Sequence, residues 1–378
     1  MRAIINSDIF SRRLIMSDIS KIDKNLAIES VLNKDGISFY DVRKAPFSVY
    51  GLYDYKNQPI FRRLPEDVAK ATNDGVVTLS KNTSGGRVRF STDSPFVCIK
   101  VTMNTIHHLS HMPASNAAGF DIFVDDPKGY ESRYYKSFLP PWNVNDNGYE
   151  SRVDFKSRKM RYITINMPSY SGVTDMFVGI ADDATISSGL EYRDMPPVVY
   201  YGSSITQGGC ASRPGNIYQN VVCRRTNIDY INLGFSGSGR GEDAIVNYMA
   251  SLDMCAFVCD YDHNAPSIEH LAATHYKMYE RIRAAHPDIP YIMLSKCDLD
   301  NEYDYNLARR DVVFESFRRA RANGDKNIYY IDGPSIFRGK YQNMCTVDSC
   351  HPNDLGFALM ADAITAELER AFTQGMLL

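Results

Sequence analysis

A serine, a histidine and a carboxylate that meet in space can attack an ester, and this sequence offers each beside an apolar run. Gly202-Ser203-Ser204-Ile205-Thr206-Gln207-Gly208 follows PVVYYG. A serine on a tight, glycine-flanked turn can expose its hydroxyl, but a free hydroxyl is a poor nucleophile at neutral pH and needs a base. Gly-Ser-Ser is also ordinary turn chemistry. Asp348-Ser349-Cys350-His351-Pro352 places a carboxylate three residues before a histidine. That spacing can hold the imidazole in one tautomer and stabilise the cation formed during proton transfer. Gly237, in Ser236-Gly237-Ser238-Gly239, has no side chain to obstruct its N–H. Asp262-His263-Asn264-Ala265-Pro266 sets an asparagine ahead of a helix, as a cap or as an amide aimed at a developing oxyanion. Pro266 suits the first helical position. His107, His108 and His111 resemble a metal cluster by count, but they come without a companion carboxylate pattern, so no metal site is expected.

These residues need elements to hold them together. From Val198 on, apolar runs alternate with helical stretches. The strand candidates are 197–202, 228–234, 255–261, 290–295 and 327–332. Helices are expected over Asn216–Arg225, Asp243–Ser251, Ser267–Ala285, Tyr305–Asn323 and Leu355–Phe372. The alternation implies a parallel sheet covered on both faces, with ligands outside the carboxyl ends of its strands. Upstream, from about Gly36, short β-rich runs alternate with turn residues: GVVTLS, GRVRFST, PFVCIKVTM, GFDIFVDD, MRYITINM and DMFVGIA. No good amphipathic helix interrupts them, which points to an all-β sandwich or jelly roll. The expected division is a segment 1–35, with a helix possible over Ile19–Asn33, a β-sandwich over 36–190 and an α/β domain over 195–378.

Gly-Ser-Ser-Ile-Thr, Gly237, Asn264 and Asp-x-x-His-Pro stand in the order of the four signature blocks of the SGNH (GDSL-like) hydrolases, and about Val198–Phe372 resembles that family. The resemblance implies a flavodoxin-like three-layer α/β fold. It implies Ser204 as nucleophile, His351 as general base and Asp348 orienting the base. The oxyanion hole would be the Ser204 N–H, the Gly237 N–H and the Asn264 side chain, with no metal or organic cofactor. Two positions depart from the pattern. Ser203 replaces the family's usual Asp, which leaves two adjacent hydroxyls to choose between, and the following Ile205 favours Ser204. The third block reads Asp262-His263-Asn264 in place of the commoner Gly-x-Asn-Asp. A sandwich followed by such a domain is similar to several carbohydrate esterases, which implies O-deacetylation of sugars.

Gly239-Arg240-Gly241-Glu242-Asp243-Ala244 fits a dinucleotide fingerprint, with Asp260 about 20 residues further on. It follows the second strand, however, and leaves the Asp-x-x-His segment unexplained. No G-x-S-x-G elbow occurs, which argues against an α/β-hydrolase. GSSITQGGCASRPGN is small and polar, favouring a short acyl group on a polar alcohol such as an acetylated oligosaccharide. A lipase- or thioesterase-type acylhydrolase, or a non-catalytic carbohydrate-binding protein, is the alternative. Arg213 is near enough in sequence to contact substrate, or is a salt-bridged arginine. Trp142, the only indole, is either core or a platform for a sugar ring. Of 378 residues 44% are hydrophobic and 23% charged, which excludes disorder for the whole chain. Net charge is −3, so no surplus for nucleic acid is visible. No stretch is long and apolar enough for a membrane span or an export signal. The eight cysteines form no CxxC pair. Reduced thiols in a cytoplasm are therefore expected, with a homo-oligomer possible.

Overall fold

A computed structural model of the chain describes residue 23 and residues 27–129, 132–339 and 341–375. Strands β1 (Ile37–Asp41), β2 (Ser48–Tyr50), β3 (Arg87–Thr92), β4 (Phe96–Ile106), β5 (Phe120–Asp125), β6 (Arg133–Phe138), β7 (Tyr149–Asp154), β8 (Arg161–Asn166), β9 (Ser171–Ala181) and β10 (Ile186–Ser188) make two antiparallel sheets. One runs β1-β9-β4-β7; the other runs β10-β3-β8-β5-β6, with β2 on β3. Val97, Ile99 and Val178 of the first sheet share a core with Val88, Ile122 and Ile165 of the second. Alternate residues of β4, Val97, Ile99, Val101 and Met103, point into that core, as the two-residue pleat requires.

Three helices interrupt these strands, contrary to expectation: α1 (Glu66–Thr72), α2 (Asp74–Leu79) and α3 (Ala114–Ala117). GVVTLS has the β-branched composition of a strand, yet it forms α2. Asn73 caps it, its Oδ1 accepting the Val76 N–H at 2.9 Å. Val76 then packs with Leu64 and Ala69 against Leu233 and Ile245 of the α/β part. Tertiary burial and a cap outweigh a propensity scale that spans only about 1 kcal/mol. Of the segment Ile19–Asn33, residues 19–22 and 24–26 lie outside the described residues, and residues 27–33 contain no helix.

The α/β part has five parallel strands, β11 (Val198–Gly202), β12 (Tyr230–Gly234), β13 (Ala256–Asp260), β14 (Tyr291–Leu294) and β15 (Ile328–Ile331), in the order β12-β11-β13-β14-β15. Helices α4 (Ser204–Gln207), α5 (Tyr218–Thr226), α6 (Asp243–Ser251), α7 (Ile268–Ala285), α8 (Tyr303–Ala322), α9 (Gly333–Phe337) and α10 (Asp354–Gly375) accompany them. β11 and β13 are buried at every residue, which is why their sequences read as unbroken apolar runs. Helix α10 buries Phe357, Met360, Ala361, Ile364, Leu368 and Ala371, a stripe at helical spacing that covers one face of the sheet. The chain winds from β12 on one side of β11 to β13 on the other. The crevice outside the carboxyl end of β11 therefore lies at the topological switch point, where ligands of such sheets bind.

Among the described residues no helix is long and apolar enough to cross a membrane.

Candidate active site

Gly202 ends β11 in a place no other residue could occupy: a Cβ there would lie 2.1 Å from both the Asp260 carbonyl oxygen and Thr206 Oγ1. The chain turns at once into α4. Ser203 caps this helix, its Oγ accepting the Ile205 N–H at 3.1 Å, and is wholly buried. Ser204, the first helical residue, is 8% exposed. Its Oγ lies 2.8 Å from His351 Nε2. The two neighbouring hydroxyls thus face different ways, and Ser204 meets the histidine of the Asp-x-x-His segment.

That segment is a tight hairpin. Ser349 adopts φ +60°, a left-handed conformation that costs a non-glycine residue about 1–2 kcal/mol. The turn brings Asp348 back against the histidine. Its Oδ1 accepts the Cys350 and His351 N–H groups at 3.2 and 2.7 Å, and its Oδ2 lies 2.8 Å from His351 Nδ1. Burial opposes ionisation of Asp348, but the backbone and imidazole hydrogen bonds of His351 outweigh it and hold the carboxyl below its ordinary range. An ionised Asp348 can only accept, so His351 carries its proton on Nδ1 and presents a lone pair at Nε2 to the serine O–H.

Three donors stand free for an oxyanion. Among the described residues, the Ser204 N–H and the Gly237 N–H have no partner. Gly237 adopts φ +64° with open space where a side chain would project, which keeps its N–H accessible. Asn264 gives one of its two amide hydrogens to the Phe235 carbonyl at 2.8 Å, tying it to the loop that carries Gly237 and leaving the other hydrogen unused. Asn264 is not a helix cap. It sits in a 3-10 turn (Asp262–Asn264), and α7 begins at Ile268 with Ser267 as its cap. Pro266 accordingly precedes the helix.

The two remaining expected residues are Arg213 and Trp142. Arg213 turns to the β-sandwich, 3.1 Å from the fully buried Asp121 and 3.7 Å above the Tyr134 ring. It is a salt-bridged interface arginine. Trp142 lies on the β6–β7 loop and is 89% exposed, so it is not core, and the indole is open to solvent.

The sandwich contributes residues that the sequence did not single out. Tyr170 Oη donates to the Ser204 carbonyl at 3.2 Å, and Asn116 Nδ2 to the Gly208 carbonyl at 2.8 Å. Gln207 Nε2 donates to Asn82 Oδ1 and to the Ser169 carbonyl, both at 3.1 Å. Helix α4 is thereby wedged against the antiparallel sheets by buried hydrogen bonds. From the loop after β4, the His111 ring reaches within 5.5 Å of the His351 ring. With Cys210 these two form a set of donors close enough to hold a metal ion, which His107 and His108 do not join. Burial pushes the Cys210 thiol up to about 12, so it stays protonated and does not compete with the serine. Asp260, the ribose partner of a dinucleotide reading, is buried among Thr206 and Tyr218 and faces no open crevice.

The arrangement can activate a serine by proton transfer to a carboxylate-backed imidazole, opposite donors for a tetrahedral oxyanion. Residues 195–369 match the GDSL-like lipase/acylhydrolase family, and residues 37–186 match the N-terminus of SGNH-hydrolase-type esterases. Over these two stretches the chain belongs to the SGNH (GDSL-like) hydrolases. Among solved structures it is similar to a protein from Bacteroides ovatus described as a GDSL-like lipase, at 23% identity over 89% of this chain and 98% of the other, with a TM-score of 0.79. It is similar to the salicylyl-acyltransferase SsfX3 of a tetracycline biosynthetic pathway, at 18% identity over 89% and 97%, TM-score 0.71. A family two carbohydrate esterase from Clostridium thermocellum aligns at 14% identity over 77% and 94%, TM-score 0.57. At these identities the likeness concerns the fold. No curated protein matches the sequence.

Proposed function

We propose that the protein is a serine esterase that removes short acyl groups, O-acetyl foremost, from carbohydrates. The observation that carries the reading is the continuous chain Ser204 Oγ–His351 Nε2, His351 Nδ1–Asp348 Oδ2, 2.8 Å at each link. His351 takes the Ser204 proton as Oγ attacks the ester carbonyl. The N–H groups of Ser204 and Gly237 and the Asn264 amide receive the oxyanion. His351 returns the proton to the departing alcohol, and water cleaves the acyl-enzyme by the same route. The sugar reading is supported by the small, polar residues after the nucleophile and by the two-part fold that this chain has in common with family two carbohydrate esterases. The exposed Trp142 and a partner such as an acetylated oligosaccharide belong to this proposal.

The test is hydrolysis of 4-nitrophenyl acetate, butyrate and octanoate, with acetate release from acetylated oligosaccharides measured alongside. The reading expects acetyl to be preferred and free acetate to appear from the sugars. A preference for octanoate would replace it with a lipase-type acylhydrolase.

A further inference from the structure

The molecule contains a second serine–histidine–aspartate chain directly beneath the first. Ser203 Oγ lies 2.6 Å from His263 Nε2, and His263 Nδ1 lies 2.8 Å from Asp262 Oδ1. The other Asp262 oxygen accepts the Lys296 N–H at 2.9 Å. From behind, Arg309 donates to the Asp262 carbonyl and, at 2.6 Å, to the Ala265 carbonyl. All three members are largely out of water: Ser203 is fully buried, and the His263 and Asp262 side chains are 9% and 1% exposed.

The direction of each bond follows from the donor inventory. Burial works against an ionised Asp262, yet its bonds to His263 and Lys296 keep its carboxyl below the ordinary range. Burial likewise lowers His263, against the pull of Asp262, and the Lys296 ammonium acts in the same direction as burial. A neutral His263 facing a carboxylate carries its proton on Nδ1. Its Nε2 must accept, so the Ser203 hydroxyl donates, while the Ser203 oxygen accepts from Ile205. With both the hydrogen and a lone pair of Ser203 committed inside the protein, that hydroxyl cannot reach a substrate.

What the chain does have is leverage. Ser203 precedes Ser204, whose N–H is one proposed oxyanion donor. His263 precedes Asn264, whose amide is another. The bond between Ser203 and His263 is a strut between the end of β11 and the turn after β13. We propose that Ser203, His263 and Asp262 form a positioning brace that fixes the Ser204 N–H and the Asn264 amide at the separation the oxyanion requires. The brace rests on the esterase reading above and deepens it; it is not a second nucleophilic site. The two blocks in which the sequence departs from the family pattern, at Ser203 and at Asp262-His263-Asn264, are joined by this one hydrogen bond.

The variants are Ser203→Ala and His263→Phe, which break the strut, and Ser203→Thr, which keeps the hydroxyl. Each is assayed on 4-nitrophenyl acetate beside wild type and Ser204→Ala, together with inhibition by a small alkylboronic acid that mimics the tetrahedral intermediate. Because a misplacement near 1 Å costs ~10²-fold, the breaking variants are expected to lose roughly 10- to 100-fold in kcat, with KM within about twofold. Boronate affinity should fall in parallel, and Ser203→Thr should recover most of kcat. The brace is overturned if both breaking variants keep kcat within about twofold of wild type, or if KM alone changes. A Thr variant as impaired as the Ala variant also overturns it. An active wild type, an inactive Ser204→Ala and an unimpaired Ser203→Ala remove the brace alone. A wild type that hydrolyses no ester, or an active Ser204→Ala beside an inactive Ser203→Ala, removes the esterase assignment with it.

Discussion

Asn264→Ala isolates the oxyanion hole from the rest of the site. The amide gives one hydrogen to the Phe235 carbonyl, which also accepts from the Ser238 and Gly239 N–H groups at 2.9 and 3.0 Å. Truncation therefore leaves no orphaned carbonyl, and the stability cost should be no more than that of one ordinary hydrogen bond, about 1 kcal/mol. The second hydrogen meets no protein acceptor among the described residues and is available only to a ligand. Losing one such donor costs about 2.7–4 kcal/mol of barrier, so kcat on 4-nitrophenyl acetate should fall ~10²- to 10³-fold. KM should hardly move, because the donor acts on charge that develops only in the transition state. Stopped-flow acylation kinetics, with urea unfolding of the same samples, separates the two effects. A kcat within about fivefold of wild type, or a loss of activity that merely tracks a loss of stability, would refute the assignment.

Further outcomes follow from the same contacts. Arg213→Ala should destabilise the fold by about 3–5 kcal/mol by leaving Asp121 buried beside only Asn166 and Gly215, while KM stays near wild type; a KM raised tenfold or more at unchanged stability would return Arg213 to the substrate. Tyr170→Phe, which removes the donor to the Ser204 carbonyl, should lower kcat modestly, about threefold to tenfold, since the Gly208 and Gly209 N–H groups still bind that oxygen; no change in kcat would mean the sandwich does not tune the nucleophile. His275 is buried against Tyr261 and Cys259, and burial lowers it from 6.5 to about 4. The unfolded chain then binds more protons than the folded one between those values, so stability rises with pH across that window and is lost on acidification, by an amount on the order of 3 kcal/mol. Urea midpoints between pH 4 and 7 should be flatter in His275→Phe, and an identical slope would contradict this.

The α/β part was legible because its signals are local and redundant. β11 and β13 are unbroken apolar runs, α6 spans the residues its periodicity marks, and the ends of β11, β12 and β13 lead into Ser204, Gly237 and Asn264. Ser204, Asp348 and His351 could be nominated for the same reason, the last two lying within one turn. The α1–α2 pair was not legible. Val-Val-Thr has the composition of a strand, and what makes it helical is an Asn73 cap and burial against Leu233 and Ile245, residues more than 150 positions away. Arg213 stood open between a substrate contact and a salt bridge because proximity in sequence to the nucleophile says nothing about which way a long side chain turns, and its partner Asp121 lies 92 residues before it. For Trp142, area alone favoured burial, but the β6–β7 loop leaves the indole 89% exposed. The brace left a trace in the sequence, Ser203 and Asp262 each standing where the family has another residue, but only the fold joins Ser203 to His263 across 60 positions.

The most direct test of the account is the site of covalent capture. Protein treated with a fluorophosphonate is digested, and fragment-ion mass spectrometry distinguishes an adduct on Ser204 from one on its neighbour. The account predicts labelling of Ser204 alone, abolished in Ser204→Ala and strongly slowed in His351→Ala. An adduct on Ser203, or labelling of Ser204 that proceeds undiminished without His351, would contradict it.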